Sequence, residues 1–89
     1  MNRPQLTVLT RDGCGLCDRA RRQLAALADE LRAEFSSIDV DAEAAAGRPA
    51  LRAEFGDRLP VVLLDGREHS YWEVDEVRLR RDLTGHRGR

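Results

Sequence analysis

The sequence predicts an α/β domain in which helices flank a four-stranded mixed sheet, in the order β-α-β-α-β-β-α. Three observations predict it. The apolar spacing switches repeatedly between a two-residue and a helical period along the chain. At the N-terminal end a strand pattern, a helical stripe and a second strand pattern follow one another, and a helical crossover of this kind joins parallel strands. Toward the C-terminal end an apolar run stops at Asp65-Gly66 and a second strand pattern follows, which predicts an antiparallel hairpin. Helices placed after each half then cover both faces of one sheet.

The first strand is Gln5 to Arg11, where Leu6, Val8 and Leu9 supply the apolar positions. The segment "DGCG" breaks it. From Cys14 onward Cys17, Ala20, Leu24, Leu27, Ala28 and Leu31 recur at steps of three and four, so an amphipathic helix is expected from Cys14 to Glu34. "FSSIDVD", Phe35 to Asp41, is the second strand, with Ile38 and Val40 apolar. Gly47 and Pro49 interrupt the next segment, so a short helix is expected over Pro49 to Phe55, with room for one helical turn before it and Gly56 as its stop. "LPVVLLD", Leu59 to Asp65, has the continuous apolar character of a strand buried on both faces. "EHSYW" returns antiparallel to it, with His69 expected to point outward from an edge. Asp75 is placed to cap a last helix through Leu83, whose apolar positions are Val77, Leu79 and Leu83, and Gly85 to end it. Residues 85–89, which include His86, read as a flexible tail of one domain spanning 1–89.

Composition excludes several function classes. The net charge of −1 gives no reason to expect nucleic-acid binding, and no apolar run is long enough to span a membrane. The N-terminus lacks the long apolar core of a secretory signal, so a cytoplasmic protein is expected, and a monomer is expected as well. There are two cysteines, too few for a disulfide scaffold, and in that compartment a disulfide is more often transient than structural.

Both cysteines lie in "GCGLCD", spaced C-x-x-C at Cys14 and Cys17. A structural zinc site needs four ligands, and the chain offers no third cysteine and only two distant histidines, His69 and His86. Free cysteines are often small buried apolar residues, but Gly13 and Gly15 place Cys14 in a loop at a strand end. A redox pair fits the setting best. Residues three apart at a helix start share a face, so their sulfurs can meet, and the free N–H groups and positive dipole end there favour a thiolate. Cysteines in such motifs have pKa values of about 3.5–7.5. Asp12 and Asp18 oppose this and Arg11 and Arg21 offset them, with solvent screening all four. A Cys14 thiolate substantially populated near neutral pH is therefore expected.

"LTVLTRDGCGLCDRA" resembles the first strand, active-site loop and first helix of the glutaredoxins, within the thioredoxin fold. "RPALRAEFGDRLPVVLLDG" is similar to the family's second helix and to the strand that opens with a cis-proline. The resemblance runs from Leu6 to Leu83. It is closest to the short, divergent bacterial glutaredoxin-like proteins. It implies that Cys14 is the nucleophile and Cys17 the resolving cysteine. It also implies a cis Leu59-Pro60 peptide that presents Leu59 to an extended thiol substrate, where the residues alone also allow a trans proline opening a strand. Arg11 stands where a basic residue faces a glutathione carboxylate, with a solvated arginine as the alternative. Gly15 and Leu16 occupy the substrate-facing positions between the cysteines, in place of the proline and aromatic residue common there. Ser70 and Tyr71 stand where glutathione-using members carry a Gly-Gly turn. Asp75 is displaced from the position of the aspartate that binds the glutathione amino group. Tyr71 and Trp72 are expected to pack the hairpin against the last helix, or else one of them lines a substrate groove.

The expected function is thiol-disulfide oxidoreduction through a Cys14–Cys17 couple, acting on protein or small-molecule disulfides with no bound cofactor and no metal. The electron donor is either glutathione or a thioredoxin-reductase-type system. The alternative is a binding or adaptor module, or a redox sensor with little turnover. A further possibility is an iron-sulfur cluster held between two chains through Cys14 and glutathione.

Overall fold

In the computed structural model residues 3–84 are described, so the expected tail, the Gly85 helix stop and His86 lie outside the described residues. Six residues alternate in β1 (Gln5–Thr10), with Leu6 and Val8 facing one side of the sheet and Leu9 the other. It is followed by α1 (Gly15–Leu31), β2 (Glu34–Asp39), α2 (Val40–Ala45), α3 (Ala50–Phe55), β3 (Val61–Leu64), β4 (Arg67–Tyr71) and α4 (Glu76–Thr84). The sheet order is β2-β1-β3-β4. β1 pairs parallel with β2 and antiparallel with β3, and β3–β4 is the hairpin. Asp65 and Gly66 both have positive φ, 51° and 84°, as a two-residue turn matching the strand twist requires.

Each face has its own core. Leu6, Val8 and Val62 pack with Ala20, Leu24, Leu27 and Ala28 of α1 and with Leu79 and Leu83 of α4. Leu9 and Val61 pack with Val40 of α2 and Phe55 of α3 on the opposite face. The register fixes where a site can form. Thr10 pairs with Asp39, Leu9 with Val61, and Val61 with Tyr71. The exits of β1, β2 and β4 and the entry to β3 therefore line one edge of the sheet.

Four expectations need correction. α1 stops at Leu31, three residues short of Glu34, because Arg32 takes the left-handed conformation (φ 60°) and its N–H bonds the Ala28 carbonyl. β2 stops at Asp39 instead of Asp41. The Asp39 side chain caps the N–H groups of Asp41 (2.9 Å) and Ala42 (3.0 Å), which starts a helix that the alanine-rich segment continues, and Val40 is buried as its first residue. Val77 is 82% exposed rather than part of the apolar face of α4. His69 points inward, its side chain only 5% exposed, with Nε2 2.9 Å from Asp82 Oδ2 on α4. The reason is a bulge. Val62 pairs with Ser70 and Leu63 with Glu68, so His69 is the extra residue, and it turns toward the α4 side. Asp75 does cap α4, accepting from the Arg78 N–H at 3.2 Å.

Candidate active site

The loop after β1 turns on Gly13, whose φ of +75° favours a residue without a Cβ. It delivers Cys14 in extended conformation (φ −102°, ψ 109°) as the N-cap of α1. The Cys14 sulfur accepts the backbone N–H of Cys17 at 3.1 Å, while the Cys14 carbonyl takes the Asp18 N–H at 3.1 Å. The thiol thus does what a serine or aspartate oxygen does at other helix starts, and it sits at the positive end of a 17-residue helix.

The two sulfurs differ. Both cysteines are free thiols, Cys14 half-buried and Cys17 fully buried. Burial pushes the Cys17 thiol up to about 11, the hydrogen bond with Cys14 adds to this, and the Arg11 backbone N–H opposes it. Cys17 is therefore a protonated thiol at neutral pH, and Cys14 is the sulfur solvent can reach. Between them Gly15 is exposed with open space around it, and Leu16 is 52% exposed. Asp18 is engaged by Arg21 at 2.8 Å, one turn along the helix.

Arg11 lies inside the structure's own ion-pair network. Its Nε donates to Asp41 Oδ2 at 2.7 Å, Nη2 to Oδ1 at 3.1 Å, and Nη1 to the Gly56 carbonyl at 3.3 Å. Arg52 approaches the same carboxylate at 3.8 Å. This guanidinium holds the Asp41 carboxyl below the usual carboxylate range. The fork ties the active-site loop to α2 and α3. Asp41 was missed in the sequence, although parallel pairing of β1 and β2 already implies that the residues just after each strand are neighbours.

The Leu59-Pro60 peptide is cis, as the resemblance implied. Pro60 is buried at the entry to β3, beside the exit of β1, and Leu59 packs into the core of the α2–α3 face. The Pro60 carbonyl accepts the Trp72 N–H at 2.8 Å. Trp72 does not pack the hairpin down. It is 56% exposed and, with Leu16, Ala20 and Val74, lines a groove of about 320 Å³ alongside the N-terminal turns of α1. Tyr71, 48% exposed, meets the Trp72 ring edge-to-face with centroids 5.0 Å apart. Among the described residues no three His, Cys, Asp or Glu side chains converge as a metal site would require, and no helix is long and apolar enough to cross a membrane.

Comparison with known proteins agrees with this architecture. The family described as Glutaredoxin-like domain (DUF836) matches residues 5–84. Uncharacterized protein Rv0508 of Mycobacterium tuberculosis (strain ATCC 25618 / H37Rv) is 65% identical over 84 residues, covering 94% of this chain and 87% of that protein, and Mb0520 of Mycobacterium bovis matches equally. Among solved structures, protein Ne2328 from Nitrosomonas europaea superposes with a TM-score of 0.69 at 25% identity, over 98% of this chain and 93% of that one. Fasciola hepatica thioredoxin superposes with a TM-score of 0.63 at 26% identity, over 96% and 82%. The mixed sheet with helices on both faces is the thioredoxin fold, and the chain belongs to the glutaredoxin-like domain family.

Proposed function

We propose that the protein is a thiol-disulfide oxidoreductase. The observation that carries this reading is the asymmetric pair at the start of α1: an accessible Cys14 sulfur held by the Cys17 N–H, with a buried Cys17 thiol one turn below it. Cys14, as thiolate, attacks one sulfur of a substrate disulfide. A mixed disulfide forms and the other substrate sulfur leaves as a thiolate, which takes up a proton. Cys17 then loses its proton and attacks the Cys14 sulfur. The Cys14–Cys17 disulfide forms, the second substrate thiol is released, and two electrons have passed to the substrate. An external thiol reductant restores the dithiol.

A reductase-type protein donor fits this site better than glutathione. Arg11, the residue placed to meet a glutathione carboxylate, already directs its fork at Asp41, and Ser70 and Tyr71 stand in the place of a Gly-Gly turn. Replacing Cys14 with serine and assaying reduction of a small disulfide tests the mechanism. Loss of turnover is expected, and undiminished turnover would refute it. Offering oxidised protein glutathione alone, or NADPH with a thioredoxin reductase, tests the donor. Rapid reduction by glutathione alone would reverse that assignment.

A further inference from the structure

Arg11 joins β1 to the loop that ends at Cys14, and its backbone N–H meets the Cys17 sulfur. Its side chain is 40% exposed, so a molecule arriving at the cysteines can reach it. A guanidinium in that place matches the carboxylate of an incoming thiol, because its fork bonds both oxygens at once. Here the fork is filled from within. Nε and Nη2 hold the two oxygens of Asp41, and Nη1 holds the Gly56 carbonyl. Asp41 is fixed in turn, since it is the second residue of α2 and its N–H is bonded to Asp39 Oδ1 at 2.9 Å. Arg52 lends the same carboxylate a second cation at 3.8 Å. A ligand carboxylate that displaced Asp41 would exchange one ion pair for another of the same kind. It would also leave Asp41 beside it with only the longer Arg52 contact, so the exchange gains nothing and adds repulsion between like charges.

We propose that Asp41 is a specificity-determining residue. By filling the Arg11 fork beside the cysteine pair, it makes the site indifferent to the carboxylates of incoming thiols, glutathione among them. The site is thereby left to donors recognised through other contacts. The inference rests on the oxidoreductase reading and names the residue that sets its reductant. It has a direct consequence for the pair. With Asp41 present, Arg11 should contribute nothing to the choice between a charged and a neutral thiol. With Asp41 neutralised, the same guanidinium should discriminate between them. The two residues are therefore coupled, and removing both should return the site to its original indifference.

The test isolates one exchange in Cys17→Ser protein whose Cys14 carries pyridine-2-thiol as a mixed disulfide. An attacking thiolate bonds to the Cys14 sulfur, the bond to the pyridyl sulfur breaks, and the departing thiolate takes up a proton as pyridine-2-thione, whose absorbance gives the rate. The attacking thiols are N-acetyl-Cys-Gly with a free C-terminal carboxylate and the same peptide as its amide. The carboxylate-to-amide rate ratio should be unchanged by Arg11→Gln. Asp41→Asn should raise it by about fivefold, the upper end of what a solvent-exposed ion pair supplies. Adding Arg11→Gln to Asp41→Asn should abolish the gain. Asp29→Asn, the same change of charge at an exposed position on α1, should give none. A ratio that falls in Arg11→Gln alone would overturn the proposal, because the fork would already be reading carboxylates past Asp41, and this result does not depend on the folding of Asp41→Asn. No gain in folded Asp41→Asn, or a gain that survives Arg11→Gln or appears in Asp29→Asn, would overturn it equally. Turnover of bis(2-hydroxyethyl) disulfide by protein with both cysteines tests the oxidoreductase reading separately, and its absence would remove that reading and the inference with it.

Discussion

Raising the pH of the reduced protein should withdraw stability through Cys17. Its thiol is pushed from 9.0 to about 11 in the folded state, with burial as the first cause. Below pH 9 the folded and unfolded chains both hold the proton, and the contribution is fully present. Between 9 and 11 the unfolded chain releases its proton while the folded chain retains it, so unfolding becomes progressively easier. Above 11 the contribution is gone. At about 1.4 kcal/mol per pH unit, a displacement of this size amounts to about 3 kcal/mol, a large share of the stability of a small domain. Urea unfolding of wild-type protein and Cys17→Ala, both kept reduced, at intervals from pH 8 to 11 measures it. The cavity left by the alanine adds a constant offset, and titrating groups away from the cysteine pair cancel, so the slope of the difference reports on the pair. The wild-type advantage should shrink by about 2 kcal/mol across the range. Parallel curves would refute the argument that burial governs the Cys17 proton.

In the proposed mechanism the same proton controls the second chemical step. The mixed disulfide on Cys14 should persist at neutral pH and below and resolve faster toward pH 11, as acid quenching and mass spectrometry would follow. Leu79→Ala, at a fully buried position that seats α4 on the sheet, should cost about 2–5 kcal/mol in denaturant unfolding. Val77→Ser on the exposed side of the same helix should stay within about 0.5 kcal/mol of wild type. Asp39→Ala removes the cap that starts α2 and should cost about 1 kcal/mol, which Asp39→Asn largely recovers.

The parts of the fold legible in the sequence are those where one local signal and the tertiary structure agree. The stripe from Cys17 to Ala28 is buried as its spacing requires, Asp65-Gly66 makes the hairpin, and Asp75 caps α4. The misses occur where a tertiary contact overrides a local pattern. Val40 continues the alternation of β2, yet it is buried as the first residue of a helix because Asp39 captures the next two free N–H groups. His69 reads as outward-facing on a regular strand, and only the bulge opposite Val62 and Leu63 turns it toward Asp82. Arg32 ends α1 without any glycine to announce it. At the site, the two cysteines and the cis-proline were legible because their chemistry is tied to short motifs. The Arg11–Asp41 fork was not, since it joins segments brought together only by sheet register, and Trp72 beside a groove stood only as the alternative to packing against the last helix.

In the proposed mechanism, the burial that slows Cys17 as an attacking group also makes it a poor leaving group when the dithiol is regenerated. In the oxidised protein an incoming thiol can reach only the Cys14 sulfur, because Cys17 is covered by the core. Attack there must expel Cys17 as a thiolate, and departure slows as the pKa of the departing thiol rises. A monothiol that has formed a mixed disulfide with Cys14 is then exposed to re-attack by the nearby Cys17, which reverses the step. A dithiol escapes this reversal by closing its own ring on the mixed disulfide and releasing Cys14. Oxidised protein should therefore be reduced much faster by dithiothreitol than by 2-mercaptoethanol at the same thiol concentration. Equal rates would mean that Cys17 departs freely and that its burial does not control the reverse reaction. A large difference would give the proposed reductase-type donor a physical reason, since such donors deliver their electrons from a paired dithiol.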